Sequence, residues 1–221
     1  MLILGFGNKA RQGKDTAAEA IRDYYQTLNL HGLKQHRVGI FKFATALYQE
    51  VNQYLKNRTD AFGGEFTWQA FHPDFNTRIP DWVQPDPNPE VSALAPYGKH
   101  PKLLQWWGTE YRRAQDPDYW TKKLFESIPS NLDIALITDV RFPNEADGVR
   151  QRGGYNINVI RLRQDGTPYF STDRRGAHVS ETALDGYNWD FRISNPEGHQ
   201  ALLAEVAVTH AEYLRALGPS K

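Results

Sequence analysis

The chain has 221 residues and no cysteine, and its 26 basic and 26 acidic side chains give a formal net charge of zero. This composition excludes a disulfide framework and cysteine-ligated zinc, and it provides no overall positive charge for binding a nucleic acid polymer. The N-terminal apolar run is too short for a secretory leader and no later run approaches eighteen apolar residues, so we expect a cytoplasmic protein with no membrane partner.

A glycine-rich stretch follows the short apolar run and leads into a helical pattern. It is Gly5-Phe6-Gly7-Asn8-Lys9-Ala10-Arg11-Gln12-Gly13-Lys14-Asp15-Thr16, after the predicted strand Leu2-Ile3-Leu4. This order is typical of a phosphate-binding loop, whose backbone N–H groups and lysine hold a nucleotide's phosphates at a helix N-terminus. The predicted nucleotide-binding residues are Lys9, Ala10, Arg11, Gln12, Gly13, Lys14, Asp15 and Thr16. The alternative is a glycine-rich turn with an exposed lysine.

Two positions depart from the usual pattern Gly-x4-Gly-Lys-Ser/Thr. Asn8 stands at the first glycine position, and Asp15 stands where the hydroxyl is usual. Because Asn enters the left-handed backbone region at modest cost, we expect the turn to be retained. Asp15, with Thr16 beside it, offers oxygen ligands for magnesium, directly or through water.

Helical and strand patterns alternate along the rest of the chain. After the loop, apolar residues recur at helical spacing up to Gly32, and a strand at 37–43 with a helix at 44–54 follows. The later predicted elements are helices near 103–111 and 118–128, a buried strand at 134–140, a short helix from 143 to about 153, strands at 157–162 and 190–195, and a terminal helix at 203–217. This alternation predicts one α/β domain over residues 1–221 with a parallel five-stranded sheet.

Residues 59–101 have a different composition from the rest of the chain. Six of the 13 prolines lie between Pro73 and Pro96, and aromatic residues are scattered there without a period. A long segment of this kind inside a compact domain is uncommon unless it is functional or disordered, and the aromatic content argues against disorder. We therefore expect a partly ordered insertion that covers the substrate site; the alternative is a role in packing alone.

Charged residues follow two of the predicted strands. Lys42 closes the second strand, and Asp139 and Arg141 lie at the exit of the strand at 134–140. Ligands of open parallel sheets bind at the carboxyl ends of the strands, so these side chains and the loop are expected at one edge. Asp139 is a candidate for organising magnesium; the alternative is a helix or turn cap.

Arginines are the second requirement of an enzyme that moves a phosphoryl group between two bound phosphates, because catalysis is mostly positioning and charge stabilisation. Each arginine alone is more commonly a solvated surface charge, except Arg141, which follows a strand directly. Residues 163–181 contain Gly, Pro and the pair Arg174-Arg175, which favours a mobile lid over the phosphates; the alternative is an ordinary hairpin or loop with exposed basic residues. The candidates are Arg112, Arg113, Arg141, Arg161, Arg163, Arg174 and Arg175.

Four separated motifs together resemble the bacteriophage deoxynucleoside monophosphate kinases. They are Gly13-Lys14-Asp15-Thr16, Leu104-Gln105-Trp106-Trp107-Gly108-Thr109-Glu110-Tyr111-Arg112-Arg113, Thr138-Asp139-Val140-Arg141-Phe142-Pro143-Asn144-Glu145-Ala146 and His178-Val179-Ser180-Glu181. The resemblance extends from the first strand to about residue 195. It implies a three-layer, adenylate-kinase-like P-loop kinase fold with a lid, and transfer of the ATP γ-phosphoryl group to a deoxynucleoside 5′-monophosphate.

The resemblance also implies roles for single residues. Lys14 would bind the β and γ phosphates, and Asp15, Thr16 and Asp139 would serve magnesium. Asp139 and Arg141 would lie between the two nucleotides, and Arg174 and Arg175 would belong to the lid by position. The acceptor's side would comprise Lys42, Gln105, Trp106, Trp107, Glu110, Arg112, Arg113, Arg141 and Glu145. A homodimer in the cytoplasm, the host's if the chain is phage-encoded, would fit this family.

Two other functions remain open from the sequence. One is a phosphate-loop kinase of another small phosphorylated metabolite. The other is a non-catalytic regulatory module that binds ATP and presents the aromatic insertion to a protein partner, which would not need clustered arginines beyond the loop. The preferred base is not predicted, because stacking on an aromatic ring discriminates poorly between bases.

Overall fold

The computed structural model describes residues 1–7, 9–31, 35–61, 83, 89–169, 179–196 and 199–216. These residues form two compact units: Met1–Lys42 with Leu124–Lys221, here called the sheet unit, and Phe43–Lys123, here called the helical unit. Asn8, Arg174, Arg175, His178, most of the predicted insertion and the centre of the predicted lid lie outside the described residues. No helix of the described part is long and apolar enough to cross a membrane.

The sheet unit contains five parallel strands. They are β1 (Leu2–Gly7), β2 (Val38–Phe41), β3 (Ile134–Val140), β4 (Tyr155–Arg161) and β5 (Phe191–Asn195), in the spatial order β2-β3-β1-β4-β5. β1 lies in the centre and pairs with β3 and β4, Leu4 facing Leu136 on one side and Tyr155 on the other. The predicted α/β class and the parallel five-stranded sheet are therefore confirmed.

Seven α-helices and one π-helical segment are described. The helices are α1 (Lys14–Leu30), α2 (Phe43–Ala61), α3 (Pro101–Gln105), α4 (Tyr119–Ser127), α5 (Pro143–Gln151), α6 (Val179–Thr182) and α7 (His199–Ala216), and the π-helical segment is Trp106–Arg113. Predicted helices and strands agree with these elements to within a few residues at most ends.

Helices pack on both faces of the sheet. On one face, apolar residues of α1 and α7 share a core with alternate residues of the strands, among them Leu4 and Phe6, which are almost fully buried. On the other face, a Cβ on Gly5 would touch Val149 of α5. Strand residues alternate between the two faces, so each face carries its own apolar set and the unit has three layers.

Gly5 and Gly7 belong to β1, although the sequence pattern places them in the turn. A Cβ on Gly7 would overlap the indole of Trp189, and a Cβ on Gly5 would overlap the side chain of Asn156. These glycines are therefore explained by close packing against the sheet, while the loop itself begins after Gly7.

The helical unit changes its helix type within one continuous stretch. The predicted helix at 103–111 is α-helical only as far as Gln105, and Trp106–Arg113 is π-helical. Its Gly108 carbonyl also accepts a hydrogen bond from the indole N–H of Trp120 at 2.8 Å. π-Helical turns are rare and often occur at functional sites, and this one contains Trp107 and Arg112 of the predicted acceptor's side.

Candidate active site

The loop after β1 turns into α1 through two left-handed residues. Gly13, directly before α1, has φ of 95°, and Arg11 has φ of 59°. A Cβ on Gly13 would also overlap the amide nitrogen of Asn195, so glycine is needed for both backbone and space. Among the described residues, Arg11 is the one non-glycine residue with a positive φ. Asn8, which the sequence pattern places in the left-handed region, lies outside the described residues, so that expectation stays a prediction.

Lys14, the first residue of α1, is buried. Only 7% of its surface is exposed, and its Nζ donates to the Lys9 carbonyl at 2.5 Å. Burial, followed by the positive charge of Arg141, lowers the pKa of Lys14 to about 7, although Glu181, Asp139 and Asp15 oppose this shift. Lys14 of the loop and Arg141 at the exit of β3 are therefore neighbouring basic groups, whose positive charges an anionic ligand would stabilise.

Asp15 joins the loop to the ends of two strands. Its Oδ1 accepts a hydrogen bond from Thr138 Oγ1 of β3 at 2.6 Å and lies 2.7 Å from Nζ of Lys42, the residue after β2. Burial favours the neutral carboxyl, but the hydrogen bonds from Lys42 and Thr138 prevail and lower the pKa of Asp15. The carboxylate thus stays charged at the edge where parallel sheets bind ligands.

Arg141 is held by two carboxylates at the exit of β3. Its Nη1 lies 2.5 Å from Glu181 Oε1, and its backbone N–H donates to Glu145 Oε2 at 2.7 Å. The other oxygen of Glu181 accepts the N–H of Ala10 in the loop at 3.0 Å. Glu181, for which the sequence predicted no role, therefore connects the loop tip with the arginine.

Glu145 has a backbone role in this arrangement. It is 2% exposed, and its Oε2 accepts the N–H groups of Arg141 and of Phe142, the residue before α5. Such a bond from the third helical residue to the preceding backbone closes a helix N-terminus. Glu145, predicted on the acceptor's side, therefore fixes the path of the chain beside Arg141.

The side chains of the remaining loop residues tie the loop to its surroundings. Gln12 is 2% exposed; its Oε1 accepts the N–H of Arg161 at 2.6 Å and its Nε2 donates to the carbonyl of Tyr169 at 3.0 Å. Lys9 forms an ion pair with Asp185 at 3.1 Å. Thr16 is half-buried in the first turn of α1, and the exposed Arg163 donates to Thr167 and Pro168 of its own turn.

The helical unit contains a second arginine held by a carboxylate. Glu50 of α2 accepts hydrogen bonds from Trp107 Nε1 at 3.1 Å, from Arg112 Nε at 2.9 Å and from the Tyr119 hydroxyl. Burial and the bond to Glu50 raise the pKa of Tyr119 to about 12, so the phenol remains a donor. Trp107 and Arg112, both predicted on the acceptor's side, are brought together here.

Glu50 is not among the site residues predicted from the sequence, although its position in the helical pattern indicates a partly buried acidic side chain. Leu47, Val51 and Tyr54 recur at helical spacing, and Glu50 lies on the same stripe of α2. An acidic residue within an apolar stripe requires a buried donor, so its position alone marks it. The donors themselves are more than fifty residues away in the sequence and were not assigned to it.

The other predicted acceptor residues have different surroundings. Trp106 is 4% exposed and stacks on Tyr111 with ring centroids 5.3 Å apart, so its ring belongs to the packing of the helical unit. Gln105 is half-buried and Glu110 is exposed. Arg113 donates from Nη1 to the carbonyl of Pro117 at 3.2 Å, in the turn before α4.

The polar groups at the loop suit the polyphosphate of a nucleotide together with a Mg²⁺ ion. The loop supplies a helix N-terminus and a buried lysine, and the carboxylates of Asp15 and Asp139 act on that lysine's charge. Mg²⁺ is commonly held by one or two carboxylates together with phosphates and water, which this set allows. Among the described residues, no group of three or more His, Asp or Glu side chains is arranged to hold a metal alone.

Comparison with known proteins adds no family assignment. The sequence matches no protein-family model and shows no significant similarity to a curated protein.

Proposed function

We propose that the protein is an adenylate-kinase-like P-loop kinase that transfers the γ-phosphoryl group of ATP to a deoxynucleoside 5′-monophosphate. The observation that carries this proposal is the buried Lys14 beside Arg141 at the N-terminus of α1, with Asp15 and Asp139 acting on the same charge. Cations and carboxylates clustered at such a position are the parts that phosphoryl transfer requires.

The fold supports the proposal. The loop lies between the central strand β1 and the 17-residue helix α1, at the carboxyl edge of a parallel sheet. Backbone N–H groups there bind anions together with the helix dipole. Two hydrogen bonds also hold the loop in place. Asn195 Nδ2 of β5 donates to the Gln12 carbonyl at 2.8 Å, and the N–H of Arg161, at the end of β4, donates to the Gln12 side chain.

The chain's own groups would act by charge and position. Lys14 would bind phosphate oxygens of ATP, and the approach of that anion would favour its protonated form. Arg141, held by Glu181, would stabilise the charge that develops on the transferred group. Bound Mg²⁺ would neutralise phosphate oxygens, with Asp15 and Asp139 as the carboxylates that hold it.

The acceptor's side is proposed for the helical unit. Arg112 offers a guanidinium for an anion, and its setting near Trp107, Tyr111 and Tyr119 places aromatic surface around it. Arg112 and Arg141, two arginines outside the loop that are each held by a carboxylate, favour a kinase over a module that only binds ATP, since such a module has no use for a second anion site.

A coupled assay of ADP release tests the function. The full chain is incubated with ATP and Mg²⁺ and, in turn, with each of the four deoxynucleoside monophosphates, the matching ribonucleotides and a panel of phosphorylated sugars. The proposal expects ADP release that depends on a deoxynucleoside monophosphate. Release with a phosphorylated sugar alone would favour a kinase of another metabolite, and ATP binding without any acceptor-dependent release would favour the regulatory module.

A further inference from the structure

The carboxylate of Glu181 binds two donors of the candidate active site at once. Its Oε2 accepts the backbone N–H of Ala10, in the loop, at 3.0 Å, and its Oε1 lies 2.5 Å from Nη1 of Arg141. The Glu181 side chain is 10% exposed, so the carboxylate is enclosed together with these donors. A loop N–H and a guanidinium around one carboxylate are also the surroundings that suit a phosphate group.

Glu181 also acts on the charge of Lys14. Burial, followed by the positive charge of Arg141, lowers the pKa of Lys14 to about 7, and Glu181 has the largest effect among the three carboxylates that oppose this shift. The effects of Asp139 and Asp15, the proposed magnesium carboxylates, are smaller. Among these carboxylates, Glu181 is therefore the strongest negative charge on the lysine that would bind a nucleotide's phosphates.

Glu145 is a contrasting carboxylate in the same region. Its Oε2 accepts the N–H groups of Arg141 and Phe142, which lie four and three residues before it in the chain. Bonds of this kind close the N-terminus of α5 and are a permanent part of the helix end. Glu181 differs because its donors are 171 and 40 positions away, and both belong to the proposed phosphate site.

The stretch that carries Glu181 has little apolar anchoring. Helix α6 has four residues and none of them is buried. In residues 179–190, Leu184 is the one buried residue, and Asp185 adds an ion pair with Lys9 of the loop at 3.1 Å. A segment with few buried apolar contacts opens at low cost, so its polar contacts to the loop can be exchanged for others.

A phosphate cannot share the Ala10 donor with Glu181. The backbone N–H carries one hydrogen, so a bond to a phosphate oxygen replaces the bond to Glu181 Oε2. Two anions on the same donor would also repel each other in a partly buried site. Arg141 is different, because a guanidinium has five N–H groups and can bind a phosphate oxygen while it stays paired with Glu181 Oε1.

We propose that the bond between Glu181 and the Ala10 N–H is an autoinhibitory contact, in which a carboxylate holds the place of a phosphate oxygen. The phosphate chain of a nucleotide must displace Oε2 from Ala10, while Oε1 remains the partner that places Arg141. The fraction of molecules with the contact closed lowers the apparent affinity for phosphates in proportion. This inference rests on the proposed function only in taking the loop as a phosphate site.

Binding of inorganic tripolyphosphate without Mg²⁺ tests the inference, because this probe has the phosphate chain of ATP and no base. Isothermal titration of the full chain compares the wild type with Glu181→Gln, which keeps the shape of the side chain and removes its charge. The variant is expected to bind tripolyphosphate about 10-fold more tightly, since a charge-assisted hydrogen bond no longer competes with the ligand. A side chain that only held the loop in shape would give the opposite sign, because its loss would weaken binding.

Two control variants separate the contact from the general effect of a lost negative charge. Asp185→Asn removes an exposed carboxylate near the loop and leaves the bond to Ala10 in place, so its affinity is expected to change by about threefold or less. Glu126→Gln removes an exposed carboxylate of α4, and its affinity is expected to equal that of the wild type.

Hydrogen exchange of the wild type gives a second measurement, which also decides the inference if Glu181→Gln does not fold. At a saturating concentration of tripolyphosphate, the amides of residues 179–185 are expected to exchange faster, because one of their links to the loop is broken. Exchange in this stretch that is slower than without the ligand, or unchanged, would contradict the displacement.

The outcomes decide the inference independently of catalysis. Equal or weaker tripolyphosphate binding by Glu181→Gln, an equal gain in Asp185→Asn, or no binding by either the wild type or Glu181→Gln would overturn it. Tighter binding by Glu181→Gln alone, without ADP release for any acceptor, would refute the proposed function and leave the inference standing. ADP release that depends on a deoxynucleoside monophosphate, with no gain in tripolyphosphate affinity in Glu181→Gln, would do the reverse.

Discussion

Arg141 in the sheet unit and Arg112 in the helical unit are each held by a largely buried carboxylate, but their surroundings differ. Glu181, which holds Arg141, also binds a backbone N–H of the loop, and Arg141 lowers the pKa of Lys14. Glu50, which holds Arg112, is bonded to an indole and a phenol, and two tyrosine rings cover the guanidinium.

One kind of ion pair can therefore serve two tasks. A cation beside another cation, at a helix N-terminus, is arranged for charge that grows during a reaction. A cation beside two tyrosine rings, held through its Nε by a carboxylate, is arranged to recognise a group that is already charged. Variants of the sheet unit should therefore change turnover, and variants of the helical unit should change acceptor affinity.

The largest effect is expected for Lys14→Ala. The variant lacks the positive charge that would bind the phosphates of ATP. Its kcat should be lower by about 100-fold or more, as when other preorganised donors are removed. Acceptor affinity measured without ATP should stay the same, because the helical unit is untouched. Steady-state ADP release gives kcat, and urea unfolding shows whether the variant keeps its fold. An unchanged kcat would contradict the proposed role of Lys14.

Arg141→Lys should lower kcat by about 10- to 100-fold and leave the KM of the acceptor almost unchanged, since the lost bonds form in the transition state. Glu181→Gln should lower kcat less, by about 10-fold, because Arg141 is present but less well placed. Both variants are compared in steady-state kinetics with Arg37→Lys, since Arg37 pairs with Asp133 on the surface of the sheet unit. A raised KM for the acceptor with a normal kcat in Arg141→Lys would contradict the proposed difference, because Arg141 would then act in acceptor binding as Arg112 does.

ATP binding to the sheet unit and monophosphate binding to the helical unit should depend differently on pH. Burial and Arg141 lower the pKa of Lys14 to about 7, so raising the pH through 7 removes its positive charge in the free protein and should weaken ATP binding. The limit is about tenfold for each pH unit above the pKa, as for any single coupled proton. The described part of the helical unit offers no lysine in the role of Lys14, and a guanidinium does not titrate in this range, so monophosphate affinity should be nearly flat between pH 7 and 9.

Isothermal titration of both ligands over this pH range measures the effect. Lys14→Arg, whose guanidinium does not titrate, is the matched variant and should flatten the ATP profile. A wild-type ATP affinity that is constant from pH 7 to 9 would show that the charge of Lys14 is not involved.

The smallest effect is expected for Tyr119→Phe. The variant removes one donor from the half-buried Glu50 and should lower the free energy of unfolding by about 1 kcal/mol, the usual net contribution of such a bond. Urea unfolding followed by tryptophan fluorescence gives the value, with Tyr97→Phe, an exposed tyrosine of the same unit, as control. A stability equal to that of the wild type would mean that Glu50 is held well enough by its other two donors.

Much of the sheet unit could be predicted from the sequence because its signals are local. Apolar runs followed by charged residues locate β3 and its exit, and Gly13-Lys14 locates the start of α1. The bounds of β1 were wrong because Gly5 and Gly7 are used for close packing, which sequence cannot distinguish from a turn.

The candidate site was predicted less completely because its key contacts join distant residues. Glu181 is 171 positions from Ala10, and Glu50 is 62 positions from Arg112. Nothing in local spacing connects such pairs. The change from α-helix to π-helix after Gln105 also has no local signal, since the residues there fit an ordinary amphipathic helix.

The most direct test of the proposed reaction follows the phosphoryl group itself. The full chain is incubated with ATP labelled at the γ-phosphate, Mg²⁺ and each deoxynucleoside monophosphate, and the products are separated by chromatography. We expect label in the corresponding deoxynucleoside diphosphate, strongly reduced in Lys14→Ala. Label that remains in ATP, or appears only as inorganic phosphate, with all four monophosphates would contradict the proposed function.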